Sequence, residues 1–227
     1  MGTLASNRKG YIQGASSGSY SAALSASTGT AFDAQNSNQS NSIQYFQSSG
    51  RGGGTFRFVR TFIHFNTSGI SGGSNFQLTI TSIQGKSSNS DNNITAVHTA
   101  GSGNGGELAN ADFNNVVKGT TWSSSTSFAS SGTVTVTLNA AAATQIINNN
   151  DFNVALILVH DQQEEEESPL GEDGAISNGI AFGSAINLTY TDPVSGYGHK
   201  VSGVASGSIG KVNTVATASI GKINTVD

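Results

Sequence analysis

Along residues 55–65 apolar side chains recur on alternate positions, Phe56 and Phe58 first and Ile63 and Phe65 later, with Arg57, Thr61 and His64 among the polar partners. A period of two sends successive side chains to opposite faces of an extended chain, so the stretch reads as a strand with one face on a core. Its two halves are out of phase by one residue. A bulge or bend within residues 59–62 is expected to reconcile them, because one extra residue exchanges the faces. Asn66-Thr67-Ser68-Gly69 then reads as a closing turn.

The same period returns at residues 75–83, with Phe76, Leu78 and Ile80 opposed to Gln77, Thr79 and Thr81. Residues 94–99, 132–138, 180–182 and 185–190 read as further strands, and the nearly continuous apolar run 152–159 as the most buried one. Only one helix is convincing, over residues 140–147 with Asn139 as its N-cap. Many short one-faced strands bury their apolar sides by stacking sheet on sheet. The composition agrees: 35% of residues are hydrophobic, 11% are charged and 29 are glycine, as expected of short strands joined by polar turns. The expected fold is all-β: a single antiparallel β-sandwich over residues 28–193, an extended N-terminal arm over residues 1–27 and a tail over residues 194–227.

The tail carries a repeat. Residues 204–214 and 215–225 match at every position by identity or conservative replacement, including Ser208-Ile209-Gly210-Lys211-Val212-Asn213 against Ser219-Ile220-Gly221-Lys222-Ile223-Asn224. Gly, Asn, Thr and Val are poor helix formers, so short strands or turns are expected here. Two copies of so short a unit cannot bury a core of their own, since a repeat gains stability by stacking on neighbours.

Two resemblances rest on these residues. The tail is similar to those of uncharacterised virion proteins of marine and environmental tailed phages. In the body, Arg60-Thr61-Phe62-Ile63-His64-Phe65-Asn66-Thr67-Ser68-Gly69-Ile70 resembles a signature of the jelly-roll domains named for a DNRLRE motif, which are similar to carbohydrate-binding modules. Trp122, the strand-helix unit 134–147, the strand 152–159 and the closing Ile186-Asn187-Leu188-Thr189-Tyr190-Thr191 follow in that family's order. Asn66 stands where the family often has Asp, and the DNRLRE string itself is missing. The body resemblance implies an eight-stranded jelly roll. Together the two imply a virion structural protein of a tailed phage, either capsid decoration (cement) or a tail or fibre component. Its partners are other virion proteins and copies of itself in a homo-oligomer. The alternative is a carbohydrate-binding or adhesin module on an extracellular surface, with a host glycan as ligand.

A net charge of −4 offers no basic footprint for nucleic acid. No stretch approaches a membrane span, and the first ten residues hold no apolar run of signal-peptide length, so synthesis in the host cytoplasm without a Sec signal is expected. The chain has no cysteine, hence neither disulfides nor thiolate metal sites. His64, His98, His160 and His199 lack metal-ligand spacing and read as surface or strand-face residues. The run Asp161-Gln162-Gln163-Glu164-Glu165-Glu166-Glu167, with Glu172 and Asp173, is a donor set of the kind Ca²⁺ takes, but consecutive like charges read first as a solvated, self-repelling loop. The loop 101–106 lacks the Lys-Ser/Thr of a phosphate loop and reads as a surface turn. Asp33, Asp91, Asp112 and Asp151 show no spacing that favours a glycosidase pair. Trp122 reads as core, with sugar stacking the alternative. The expectation is therefore a protein that is not an enzyme, with no catalytic, cofactor-binding or metal-binding residue and no cofactor.

Overall fold

The computed structural model describes residues 1–15, 18–33, 41–48, 54–87, 93–100, 108–128, 131–164, 175–183, 185–193, 211–212 and 215–216. They fall into two units, Met1–Thr191 and Asp192–Asp227. In the first, the strands are β1 (Gly2–Ala5), β2 (Arg8–Gly14), β3 (Gly29–Asp33), β4 (Asn41–Ser48), β5 (Thr55–Asn66), β6 (Ser74–Ser87), β7 (Asn93–Thr99), β8 (Val116–Thr121), β9 (Thr126–Ser127), β10 (Gly132–Thr137), β11 (Asp151–Leu158), β12 (Ala175–Phe182) and β13 (Ile186–Thr191). Short helices α1 (Tyr20–Leu24), α2 (Ala140–Asn148) and α3 (Val159–Gln163) and a 3-10 turn, Asn110–Asn114, lie between them. The second unit holds β14 (Lys211–Val212) paired antiparallel with β15 (Val215–Ala216), across the junction of the two repeat copies.

The body is the all-β antiparallel sandwich that the alternation predicts, and two long strands organise it. Val59 of β5 pairs with Gln13 of β2 and with Gln44 of β4, while Ile63 pairs with Lys9 of β2 and with Val154 of β11. Thus β2 lies along one edge of β5, and β4 and β11 succeed one another along the other. β6 repeats the device: β10 lies on one edge, and β13, over residues 74–80, is followed by β12, over residues 83–87, on the other. The main path of neighbours runs β1-β13-β6-β12-β4-β5-β11-β7-β8 and closes over one core cluster.

β5 shows no break in its registers, so the bulge expected within residues 59–62 is not what reconciles its phases. Every residue from Phe58 to Phe65 is buried, so each half of the pattern finds cover on its own face. The helix over residues 140–147 is present as α2, and the Asn139 side chain accepts from the Ala142 N–H at 2.9 Å. Asn139 is thus the N-cap that the sequence implies.

The extended arm over residues 1–27 is not found. β1 pairs with β13, β2 lies between β3 and β5, and α1 packs on β5. The small residues here serve close approach. A β-carbon at Gly14 would lie 2.6 Å from the ring of Phe113, and one at Gly29 would lie 2.6 Å from the Gln13 carbonyl oxygen. Gly14→Val is therefore expected to destabilise the body by about 1–3 kcal/mol through overpacking. Urea denaturation monitored on Trp122 fluorescence measures the loss.

Candidate functional site

Arg60 sits in the middle of β5 in phase with Phe56, Phe58 and Phe62, and its guanidinium is carried into the interior with them. Nε donates to Asp161 Oδ2 at 2.6 Å and Nη2 to Asp161 Oδ1 at 2.7 Å, a bidentate pair on a carboxylate at the start of α3. Nη1 donates to the Phe113 carbonyl at 2.6 Å and Nη2 also to that of Leu24 at 3.3 Å. The guanidinium carbon stands 4.0 Å from the centre of the Phe113 ring. Lys118 of β8 places Nζ 3.1 Å from Asp161 Oδ1 and 3.3 Å from Glu164 Oε1.

Burial by itself raises the pKa of Asp161. The charge and hydrogen bonds of Arg60, followed by those of Lys118, outweigh it and hold the carboxyl below the ordinary carboxylate range.

Above this pair lies a cleft of about 390 Å³, walled by Ser21, Ser25, Asn114, Val116, Lys118 and Glu164, with Arg60 in its floor. Two cations and two carboxylates meet here, so the cluster is electrically balanced. Each charge is already engaged by another, and the Ser25 hydroxyl donates to the Ser21 carbonyl at 2.7 Å.

The start of the acidic run departs from the solvated loop expected of it. Asp161 is buried, and its oxygens are committed to Arg60 and Lys118, which removes it from any calcium donor set. Glu165–Glu167, Glu172 and Asp173 lie outside the described residues, as do His199, Asp91 and the loop 101–106. Asp112 caps the 3-10 turn through the Ala109 N–H at 2.8 Å, and Asp151 stands 2.9 Å from His64 Nε2. Asp112, Asp151 and Asp161 are thus each engaged separately.

His64 is cross-strand from Asn153 and His98 from Val154. Consecutive residues of β11 face opposite ways, so these two histidines lie on opposite sides of the sheet, and His160 is on α3. Among the described residues no three His, Cys, Asp or Glu side chains converge on a metal-sized site. Burial lowers the pKa of His98, whose ring meets that of Trp122 edge-on at 5.5 Å. Trp122 is only 6% exposed and donates from Nε1 to the Asn153 carbonyl at 3.4 Å, so it belongs to the core.

A second surface emerges from the strand registers. Across β1, β13, β6 and β10, Thr3, Thr189, Gln77 and Thr137 form one row, and Ala5, Asn187, Thr79 and Thr135 the next. Thr81, Thr133 and Thr191 extend the same outward pattern, and none of the eleven is charged. The side chains are joined laterally, Thr79 to Thr189 and Gln77 to Thr137, each at 3.4 Å. Behind them Leu188, Leu78 and Val136 are fully buried.

No protein-family model matches the chain, and no curated protein matches it. Among the described residues no helix is long and apolar enough to cross a membrane.

Sequence reasoning missed the Arg60–Asp161 pair, although a signal was present. A charged residue in phase with Phe56, Phe58 and Phe62 is placed on an apolar face, where it requires a buried counter-charge.

Removing one partner, as in Asp161→Asn, strands the other charge and is expected to cost about 3–5 kcal/mol. Because the folded pKa of Asp161 lies below its unfolded value of 3.8, the pair's contribution is fully present above that pH. It is lost as the pH falls through the lower folded value. Urea titrations between pH 7 and pH 2 should show this decline in the native chain, and a flatter dependence below the ordinary Asp pKa in the Arg60→Met/Asp161→Leu double variant.

Proposed function

We propose that this chain is a non-enzymatic structural protein of a tailed-phage virion, a capsid decoration or tail or fibre component. It acts by assembly with other virion proteins and with copies of itself. The observation that carries the reading is the uncharged outer face of β1, β13, β6 and β10. A sheet face or edge left to solvent is commonly guarded by lysine, glutamate or proline, which keep it from pairing with other chains. Here threonine, whose methyl group gains from burial and whose hydroxyl costs less to bury than a charge once it is hydrogen-bonded, takes their place.

The repeat tail supports the same reading. Two copies of an eleven-residue unit gain stability from neighbours, and neighbouring subunits are where a virion protein finds them. The resemblance of the tail to those of phage virion proteins gives the assembly its identity. The alternative, a carbohydrate-binding or adhesin module, loses its expected platform with Trp122 in the core.

The test is mass spectrometry of gradient-purified particles produced from the genome that encodes the chain. The reading expects the chain in intact particles at a fixed copy number relative to the major capsid or tail protein. Its absence from particles, with free chain left in the lysate, overturns the reading.

A further inference from the structure

β10 pairs with β6 along one edge, and among the described strands nothing pairs with its other edge. Which backbone groups that edge presents follows from the hydrogen bonding. The Leu138 N–H donates to the Phe76 carbonyl on β6 at 2.9 Å, and alternate residues of an antiparallel strand point their N–H and C=O groups to opposite sides. Val134 and Val136 therefore bond toward β6. Thr133, Thr135 and Thr137 direct their backbone groups away from it. Asn139 continues this alternation, donating to the Trp122 carbonyl on the far side at 2.8 Å.

The sequence of this edge is self-complementary. Thr133-Val134-Thr135-Val136-Thr137 reads identically in both directions. An antiparallel pairing of the strand with itself about Thr135 sets Thr133 against Thr137, Val134 against Val136 and Thr135 against its own counterpart. The outward backbone groups of Thr135 then find partners, and its side chain meets one of its own kind, Thr–Thr pairs being among the favourable cross-strand combinations. No charge lies on the strand or on the rows it continues, so the pairing sets no like charges of these rows against each other. The bridge between Ser123 and Leu138, with the Asn139 N–H on the Trp122 carbonyl, already occupies this edge beside Thr137, so the open part of the strand centres on Thr135.

We infer that β10 is a homotypic docking strand, through which two copies of this chain join about a two-fold axis at Thr135. The β1-β13-β6-β10 sheet becomes continuous with that of the second copy, and the row Ala5–Asn187–Thr79–Thr135 runs on through its counterpart. A closed two-fold contact of this kind uses the same patch on both subunits. One short strand pair is far smaller than a standard stable interface, so the dimer is weak in solution and gains strength where other contacts hold the copies together. The inference rests on the assembly reading and names one of its contacts.

The experiment uses the full chain, whose lack of cysteine gives a clean background. Thr135→Cys places two thiols across the axis, while Thr3→Cys, on the same face but at the opposite end of the sheet, serves as the control. The expected result is disulfide-linked dimer forming at least about tenfold faster at 135 than at 3, as a raised local concentration requires. Sedimentation velocity over a concentration series should show a monomer–dimer equilibrium for the native chain. Thr135→Lys, which brings two ammonium groups together at the axis while leaving the bonds to β6 intact, should abolish it with a thermal melt still cooperative.

Equal cross-linking rates at the two positions, or a dimer that persists in Thr135→Lys, overturns the pairing. Either outcome leaves the virion reading to its own test of particle composition. Absence of the chain from particles would overturn that reading while the cross-linking still reported on the strand.

Discussion

One buried guanidinium gathers much of this fold. Arg60 reaches from the centre of β5 to α3 through Asp161, to the 3-10 turn through the Phe113 carbonyl and to α1 through that of Leu24. Lys118 brings in β8. These partners lie up to 101 residues away in the chain, so the cluster forms only when the elements around it have assembled. A buried charge is costly unless paired and fully hydrogen-bonded, and that penalty makes the arrangement specific as well as stabilising. Packing that misplaces α1, α3 or the 3-10 turn leaves a donor or a carboxylate stranded.

Around this centre the geometry is set by two strands longer than their neighbours. β5 and β6 each serve two partners in succession along one edge, which is how one continuous path of strands closes over a single core. Close packing on the Arg60 face of β5 depends on residues with little or no side chain. Gly14 admits the Phe113 ring, and that ring lies beneath the Arg60 guanidinium. A glycine in β2 and an ion pair on β5 are thereby parts of one arrangement.

The functional reading depends on a different property, the neutrality of the opposite part of the sheet. Threonines arranged in register across four strands expose methyl and hydroxyl groups without charge. In the ion-pair cleft each charged group is engaged by another.

Much of the secondary structure was legible in residues. The alternations at Phe76-Gln77-Leu78-Thr79-Ile80 and at residues 132–138, the apolar run 152–159 and the Asn139 cap each report a local preference that the chain satisfies wherever it is placed. Local pattern also defined the repeat in the tail. It misread residues 1–27 as an arm, because a glycine such as Gly14 that looks flexible in sequence is small for packing reasons visible only once β2 lies between β3 and β5. It misread Asp161 as the start of a solvated loop, because a carboxylate's environment is decided by a cation 101 residues away. The all-β sandwich was thus written in a period of two. Which strands are neighbours, where the buried Arg60 finds its partner and which rows of threonine align were decided by tertiary structure, since register and long-range pairing depend on contacts that no short window of sequence contains.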